Sequence, residues 1–117
     1  MNKINSMKLS EPWYTLIKNG KKTVEGRIYD KKRKLLNVGD TLIFTDTNGK
    51  NEIVTTIINL KVFKNFDKAI RYAKLKNVLP NIRTYKDGVK IYHSIPGYKK
   101  KAKKYGVVLI FFKKKKK

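Results

Sequence analysis

One carboxylate, Glu25, stands among three cations in the segment Gly20-Lys21-Lys22-Thr23-Val24-Glu25-Gly26-Arg27, where a helical pattern gives way to a strand pattern. In a strand over Thr23 to Ile28, residues two apart share a face, so Thr23, Glu25 and Arg27 project to one side and Val24 and Gly26 to the other. A carboxylate between Lys22 and Arg27 is held ionised, because nearby positive charge favours the charged form; it is then a hydrogen-bond acceptor or a positioned base rather than an acid. Such a group can accept from the exocyclic amine of a nucleobase. Arg27 offers a planar fork for a phosphate or a carbonyl edge, whereas Lys21 and Lys22 act as flexible point charges. Two plainer readings use the same residues: a lysine-rich turn followed by an ordinary strand, and a partly buried Glu25–Arg27 pair that fixes the strand against the first helix.

Aromatic side chains interleave with cations at Trp13-Tyr14, Tyr29, Tyr85, Tyr92, Tyr98 and Tyr105. A base stacked on an exposed ring gains about 1–3 kcal/mol. Most of these rings belong to the core, Trp13 among them, while Tyr98 and Tyr105 are open to either role. The run Lys99-Lys100-Lys101-Ala102-Lys103-Lys104 covers a helix surface with ammonium groups whose repulsion a phosphate backbone would relieve. His93 is the single histidine and has no partner defined by sequence, and Ser94 beside it is not a triad signature.

With 30 Lys and Arg against 8 Asp and Glu, the formal charge is +22, and removing the five terminal lysines, Lys113 to Lys117, still leaves +17. That field favours RNA as partner, then DNA, with an anionic membrane surface or an acidic protein behind them. Lysine outnumbers arginine, a bias that an A/T-rich genome would also produce. Cysteine is absent, which excludes disulfides, thiolate nucleophiles and cysteine-based metal sites. No metal site and no cofactor is expected. The longest apolar run, Val107 to Phe112, has six residues, far short of the roughly 20 that span a bilayer. A soluble intracellular protein, of cytoplasm or nucleus, is expected.

The elements that must position these groups fit one domain of 117 residues with 40% hydrophobic content and a mean hydropathy of −0.57. Residues 1–6 read as a flexible leader, 7–112 as the domain, and 113–117 as a disordered poly-lysine tail. Ser10 as N-cap with Pro12 behind it opens a short amphipathic helix carrying Trp13, Leu16 and Ile17, which Asn19-Gly20 stops. Val38-Gly39-Asp40 turns the chain into a strand at Thr41 to Thr45, and Asn48-Gly49 is a hairpin signal joining it to a β-branched run from Ile53 to Val62. Asn65 caps a helix to about Lys76 with Phe66, Ile70, Ala73 and Leu75 as its apolar stripe. A second stripe holds Val89, Ile91, Tyr92 and Ile95; Tyr98 to Tyr105 forms one or two basic helical turns, and Val107 to Phe112 a buried strand. The order is β-α-β-β-β-α-α-β, and the fold class is α+β: a small mixed β-barrel with flanking helices.

Leu16 to Arg27, then Lys31-Lys32-Arg33 and Val38-Gly39-Asp40-Thr41-Leu42-Ile43-Phe44, with Tyr92, Ser94, Pro96-Gly97-Tyr98 and Tyr105-Gly106-Val107-Val108, resemble the ASCH domain family, whose fold is similar to the PUA domain, a small barrel associated with RNA binding. The resemblance implies a PUA-like barrel with a basic cleft lined by the Gly20–Arg27 segment and an RNA-binding module holding RNA or a modified nucleotide. On this reading the ligand-binding residues are Lys21, Lys22, Thr23, Glu25, Arg27, Tyr98, Lys99 and Lys100. Some members are hydrolases, either ribonucleases or small amidohydrolases acting on N4-acetylcytidine. If the chain is such an enzyme, Lys22 and Glu25 are its catalytic candidates. The amidohydrolases match at Gly20, Lys22 and Arg27 but carry a threonine at the position of Glu25 and use a glutamate from a later helix. The corresponding stretch here, Asn65 to Pro80, has Asp67 as its single carboxylate.

Overall fold

The computed structural model describes residues 2–115. Its five strands, β1 (Ile4–Lys8), β2 (Val24–Ile28), β3 (Thr41–Thr45), β4 (Glu52–Phe63) and β5 (Val107–Lys114), form one mixed sheet in the order β1-β3-β4-β5-β2. β1 runs parallel to β3, with Ile4 opposite Thr41, and the other pairs are antiparallel. A register shift between Ile57 and Asn59 sits in the long strand β4, the kind of irregularity that bends a sheet. The result is an α+β half-barrel whose free edges are β1 and β2.

Five helices accompany the sheet: α1 (Trp13–Lys18), α2 (Phe66–Ala73), α3 (Leu75–Val78), α4 (Tyr85–His93) and α5 (Tyr98–Tyr105). The hollow of the sheet buries Leu42, Phe44, Ile57 and Ile110 with Ile17 of α1. On the opposite face Val24, Ile28 and Leu109 pack under Phe66, Ile70 and Tyr92 of the helical layer. β5 lies between two neighbours and contributes to both cores, Val108, Ile110 and Phe112 to one and Val107 and Leu109 to the other. Burial on both faces is the physical reason why its sequence is too apolar to alternate.

Several boundaries differ from the sequence reading. Ile4 to Ser6 are not a flexible leader but the first residues of β1. Asp40 explains this: its buried carboxylate accepts from Lys3 N at 3.0 Å and from Asn37 N at 3.0 Å, tying the start of the chain to the entry of β3. At the other end Lys113 and Lys114 are not a disordered tail but continue β5, paired with Thr56 and Thr55. Backbone pairing does not require their side chains to be buried, and they stay exposed. Met1, Lys116 and Lys117 lie outside the described residues. Ser10 does not cap α1; the cap position is Pro12, and the Glu11 carboxylate accepts from Thr15 N and Oγ1 instead. The helix expected to reach Lys76 breaks at Lys74, which adopts φ 78°, so α3 is a separate turn. The Asn65 cap is in place, accepting from Lys68 N at 2.9 Å. The second apolar stripe is α4, capped by Thr84 and packed closely on the α2–α3 layer at Gly88.

Candidate functional site

α1 ends in a turn that aims Lys22 inward. Gly20 N donates to Ile17 O and Lys21 N to Leu16 O, both at 3.0 Å, with Gly20 at φ 84°. This is the Schellman pairing, for which glycine is the preferred residue at the left-handed position. Lys22 N also donates to Leu16 O at 2.9 Å, and the chain then enters β2. Lys21 is left on the surface while the Lys22 side chain turns under the sheet edge, 1% exposed.

The Lys22 ammonium is fully engaged. Nζ donates to Val24 O at 2.8 Å and to Val78 O at the end of α3 by a short hydrogen bond, and it forms an ion pair with Glu25 Oε1 at 3.3 Å. The Trp13 ring covers it, with Nζ 5.9 Å from the ring centroid. Burial lowers the Lys22 pKa, and the Glu25 charge opposes that fall.

Glu25 is itself buried, and its two oxygens differ. Oε1 accepts from Gly26 N at 2.9 Å and from Tyr92 Oη at 3.3 Å, and it pairs with Lys22. Oε2 accepts from Arg27 Nη2 alone, at 3.3 Å, among the described residues. Burial pushes the carboxyl pKa up, but Lys22, Arg27 and the Gly26 N–H together outweigh it, so the group is held below its ordinary value and stays ionised. Arg27 donates from Nη2 both to Glu25 and, at 3.0 Å, to Lys8 O on the opposite free edge of the half-barrel. Its Nε and Nη1 have no hydrogen-bond partner among the described residues. Tyr92 completes the cluster: its hydroxyl accepts from Gly26 N at 3.2 Å, and burial with the adjacent Glu25 charge pushes its pKa well above the ordinary phenol value. Gly26 leaves room for that ring, since a Cβ there would lie 3.0 Å from Tyr92 Oη.

A cavity of about 400 Å³ opens over this cluster, between the β2 edge and the helices α1, α4 and α5. Lys22, Glu25 and Arg27 line it with the aromatic rings of Trp13, Tyr92 and Tyr98 and the hydroxyls of Ser10, Thr47 and Ser94. Phe66 supports the aromatic wall from behind, stacked on Tyr92 at 4.3 Å and on Tyr98 at 5.9 Å between ring centroids, each pair within 8° of parallel. Four of the expected ligand residues therefore meet in one cavity: Lys22, Glu25, Arg27 and Tyr98. The other four do not. Thr23 lies just before β2, exposed, with its N–H donating to Asn77 O at 2.9 Å, and it does not line the cavity with Glu25 and Arg27. Lys21 is exposed on the same turn. Lys99 and Lys100 project from the outer surface of α5, away from the cavity lining.

Sequence reasoning places Trp13 in the core; it is half-buried and forms part of the cavity wall. The same reasoning misses Tyr92 as a partner of Glu25. The two are 67 residues apart, and the usable signal is glycine: a Gly26 in a strand marks a close approach by another group. His93 is half-buried with its ring edge-on to Phe66, and Tyr105 lies at the far end of α5. Among the described residues no group of three or more His, Cys, Asp or Glu side chains could hold a metal ion, and no helix is long and apolar enough to cross a membrane.

The comparisons with known proteins agree with this fold. A crystal structure of hypothetical protein PH0355 superposes with a TM-score of 0.84 at 34% sequence identity, covering 97% of this chain and 99% of that one. The solution structure of protein PF0455 from Pyrococcus furiosus gives a TM-score of 0.71 at 29% identity, covering 98% and 99% respectively. No curated protein matches the chain. The ASCH domain model matches residues 7–116, nearly the whole length, and the chain belongs to the ASCH domain family.

Proposed function

We propose that the protein is an RNA-binding module whose cavity takes one amino-bearing nucleobase, cytosine or adenine, from a single-stranded segment. The observation that carries this reading is the pairing of a spare acceptor with spare donors: Glu25 Oε2, with one donor, stands beside Arg27 Nε and Nη1, with none. An exocyclic amine next to a ring nitrogen presents the complementary donor and acceptor. Trp13, Tyr92 and Tyr98 supply apolar walls, and the volume falls in the range of ~300–1,000 Å³ usual for small-molecule sites. The rest of the formal +22 charge would draw the phosphate backbone to the surface, with the α5 lysines as its sequence-independent contacts. Duplex DNA, an acidic protein and an anionic membrane are the weaker candidates, since they would use the charge and leave the cavity without a role; single-stranded DNA carries the same amino-bearing bases and is compared with RNA of the same sequence in the binding assay.

Hydrolysis of an acylated nucleoside or of RNA has less support. A lysine acting as base or nucleophile needs a free lone pair, and the Lys22 ammonium is committed to two carbonyls and the Glu25 ion pair. A carboxylate with a lowered pKa is also a weak base. Glu25→Gln separates the readings: it changes base preference in a binder, abolishes turnover in a hydrolase and leaves a purely electrostatic adaptor almost unchanged. Fluorescence anisotropy with short homopolymeric RNAs measures the first, and mass spectrometry of RNA and N4-acetylcytidine after incubation measures the second. Equal affinity for oligo(C), oligo(A) and oligo(U) in the wild-type protein contradicts the proposal; release of acetate or cleaved RNA moves the hydrolase reading ahead of it.

A further inference from the structure

A second cavity, of about 510 Å³, lies on the other side of Arg27. It fills the slot between the free edges β1 and β2, and Arg27 and Lys8 line both cavities. The link from Arg27 Nη2 to Lys8 O crosses that slot. Every charged residue on the wall of this second cavity is a cation: Lys8, Arg27, Lys32 and Arg33. Ser6 and Thr45 add hydroxyls.

Arg33 is the informative member. Its Nη1 donates to Asp30 Oδ2 at 2.9 Å, which neutralises one edge of the guanidinium. Its Nε is buried without a hydrogen-bond partner. A buried N–H of a charged group without an acceptor is costly, and native structures retain few of them. Nη2 also has no hydrogen-bond partner among the described residues and, unlike Nε, is not buried, so it is the donor that an oxyanion in the slot can meet, with Lys32 and Lys8 adding charge.

We propose that this slot is a phosphate subsite continuous with the base cavity, so that the preferred ligand is a nucleotide whose base lies against Glu25 and whose phosphate lies against Lys32 and Arg33. The inference rests on the reading of the first cavity as a base site. Arg27 stands between the two and faces both parts of such a ligand, which gives the chain a way to select a phosphorylated nucleotide over a free nucleoside.

The test is calorimetric titration, at fixed ionic strength, of cytidine, adenosine, their 5′- and 3′-monophosphates and inorganic phosphate. At least one monophosphate is expected to bind about tenfold tighter than its nucleoside or better. Arg33→Gln and Lys32→Gln are each expected to remove most of that gap and to leave nucleoside affinity within about twofold. Since Arg33→Gln also breaks the Asp30 pair, amide chemical-shift mapping of the wild-type protein with inorganic phosphate gives an independent readout, with the largest shifts expected at Ser6, Lys32 and Arg33. Equal affinity for nucleoside and monophosphate overturns the subsite and leaves the base reading intact. Phosphate shifts at the slot with no binding of either nucleoside support the anion site and overturn the base reading. Shifts spread over the α5 lysines instead overturn the subsite.

Discussion

Replacing Lys22 by Met tests whether the buried charge cluster holds the fold together. The change keeps an unbranched side chain of similar length and removes the ammonium, so Val24 O and Val78 O each lose a donor and Glu25 Oε1 loses its ion pair. Removing one partner of a buried ion pair costs roughly 3–5 kcal/mol, because the remaining charge is left uncompensated. Each buried carbonyl left without its donor adds about 1–3 kcal/mol where water cannot reach it. Against these losses, the ammonium no longer has to be desolvated, and Arg27 still faces Glu25. A net loss of about 4 kcal/mol is expected, a large part of the roughly 5–15 kcal/mol available to a domain. Urea unfolding should show an earlier midpoint at unchanged slope, and the melting temperature should fall by roughly 15 °C for a domain of this size. The double variant Lys22→Met with Glu25→Gln should be more stable than the sum of the single losses predicts, by about 1–3 kcal/mol, because the second change removes the charge that the first had stranded. A single-variant loss below about 1 kcal/mol, or strict additivity in the double variant, refutes the view that the three groups act as one unit.

Glu25 also sets an acid limit. Its pKa in the fold lies below the unfolded value, so its contribution is complete above about pH 4.3 and disappears as pH falls through the lowered value. Glu25→Gln should flatten the decline of stability below that pH, as followed by urea midpoints from pH 3 to 7. Gly26→Ala places a methyl 3.0 Å from Tyr92 Oη and 3.1 Å from Cζ; displacing the ring should cost about 1–3 kcal/mol and weaken RNA binding, measured by melting and anisotropy on the same sample. Tyr98→Ala removes a stacking wall and should reduce RNA affinity by about 1–3 kcal/mol, roughly 5- to 150-fold, with little change in salt dependence. RNA affinity itself should fall steeply between 50 and 200 mM salt, by roughly 300-fold for about six phosphate contacts and roughly 10⁴-fold for about ten on a single strand; a flat response contradicts an electrostatic backbone contact.

Much of the site is legible in the sequence because charge pattern and strand parity are local properties. Glu25 and Arg27 share a face as two-residue spacing requires, and both reach the same cavity. Parity does not bring Thr23 into the cavity, because the strand begins one residue later, at Val24, and the preceding backbone follows the contact with Asn77. The Asn48-Gly49 hairpin and the Asn65 cap are readable for the same reason, each being a short-range device. β1 is hidden because Met7 is its one buried residue and its ladder to β3 is non-local. Tyr92 escapes as a partner of Glu25 because the contact depends on how α4 docks, and Gly88, the residue that sets that close packing, weakens the helical signal in sequence.

The Lys22 bond to the end of α3 joins a residue near the start of the chain to one beyond its midpoint. Much of the cavity wall is also supplied by segments that synthesis delivers late, since Tyr92 and Tyr98 follow Val78. A chain truncated before Tyr92 lacks two of the three aromatic walls of the cavity, so occupancy of the cavity reports on the presence of the C-terminal helices. For the same reason a small molecule that enters it raises the melting temperature in proportion to the logarithm of its concentration once the cavity is saturated, so a thermal-shift screen of nucleosides and nucleotides can find the ligand directly from the stabilisation it confers.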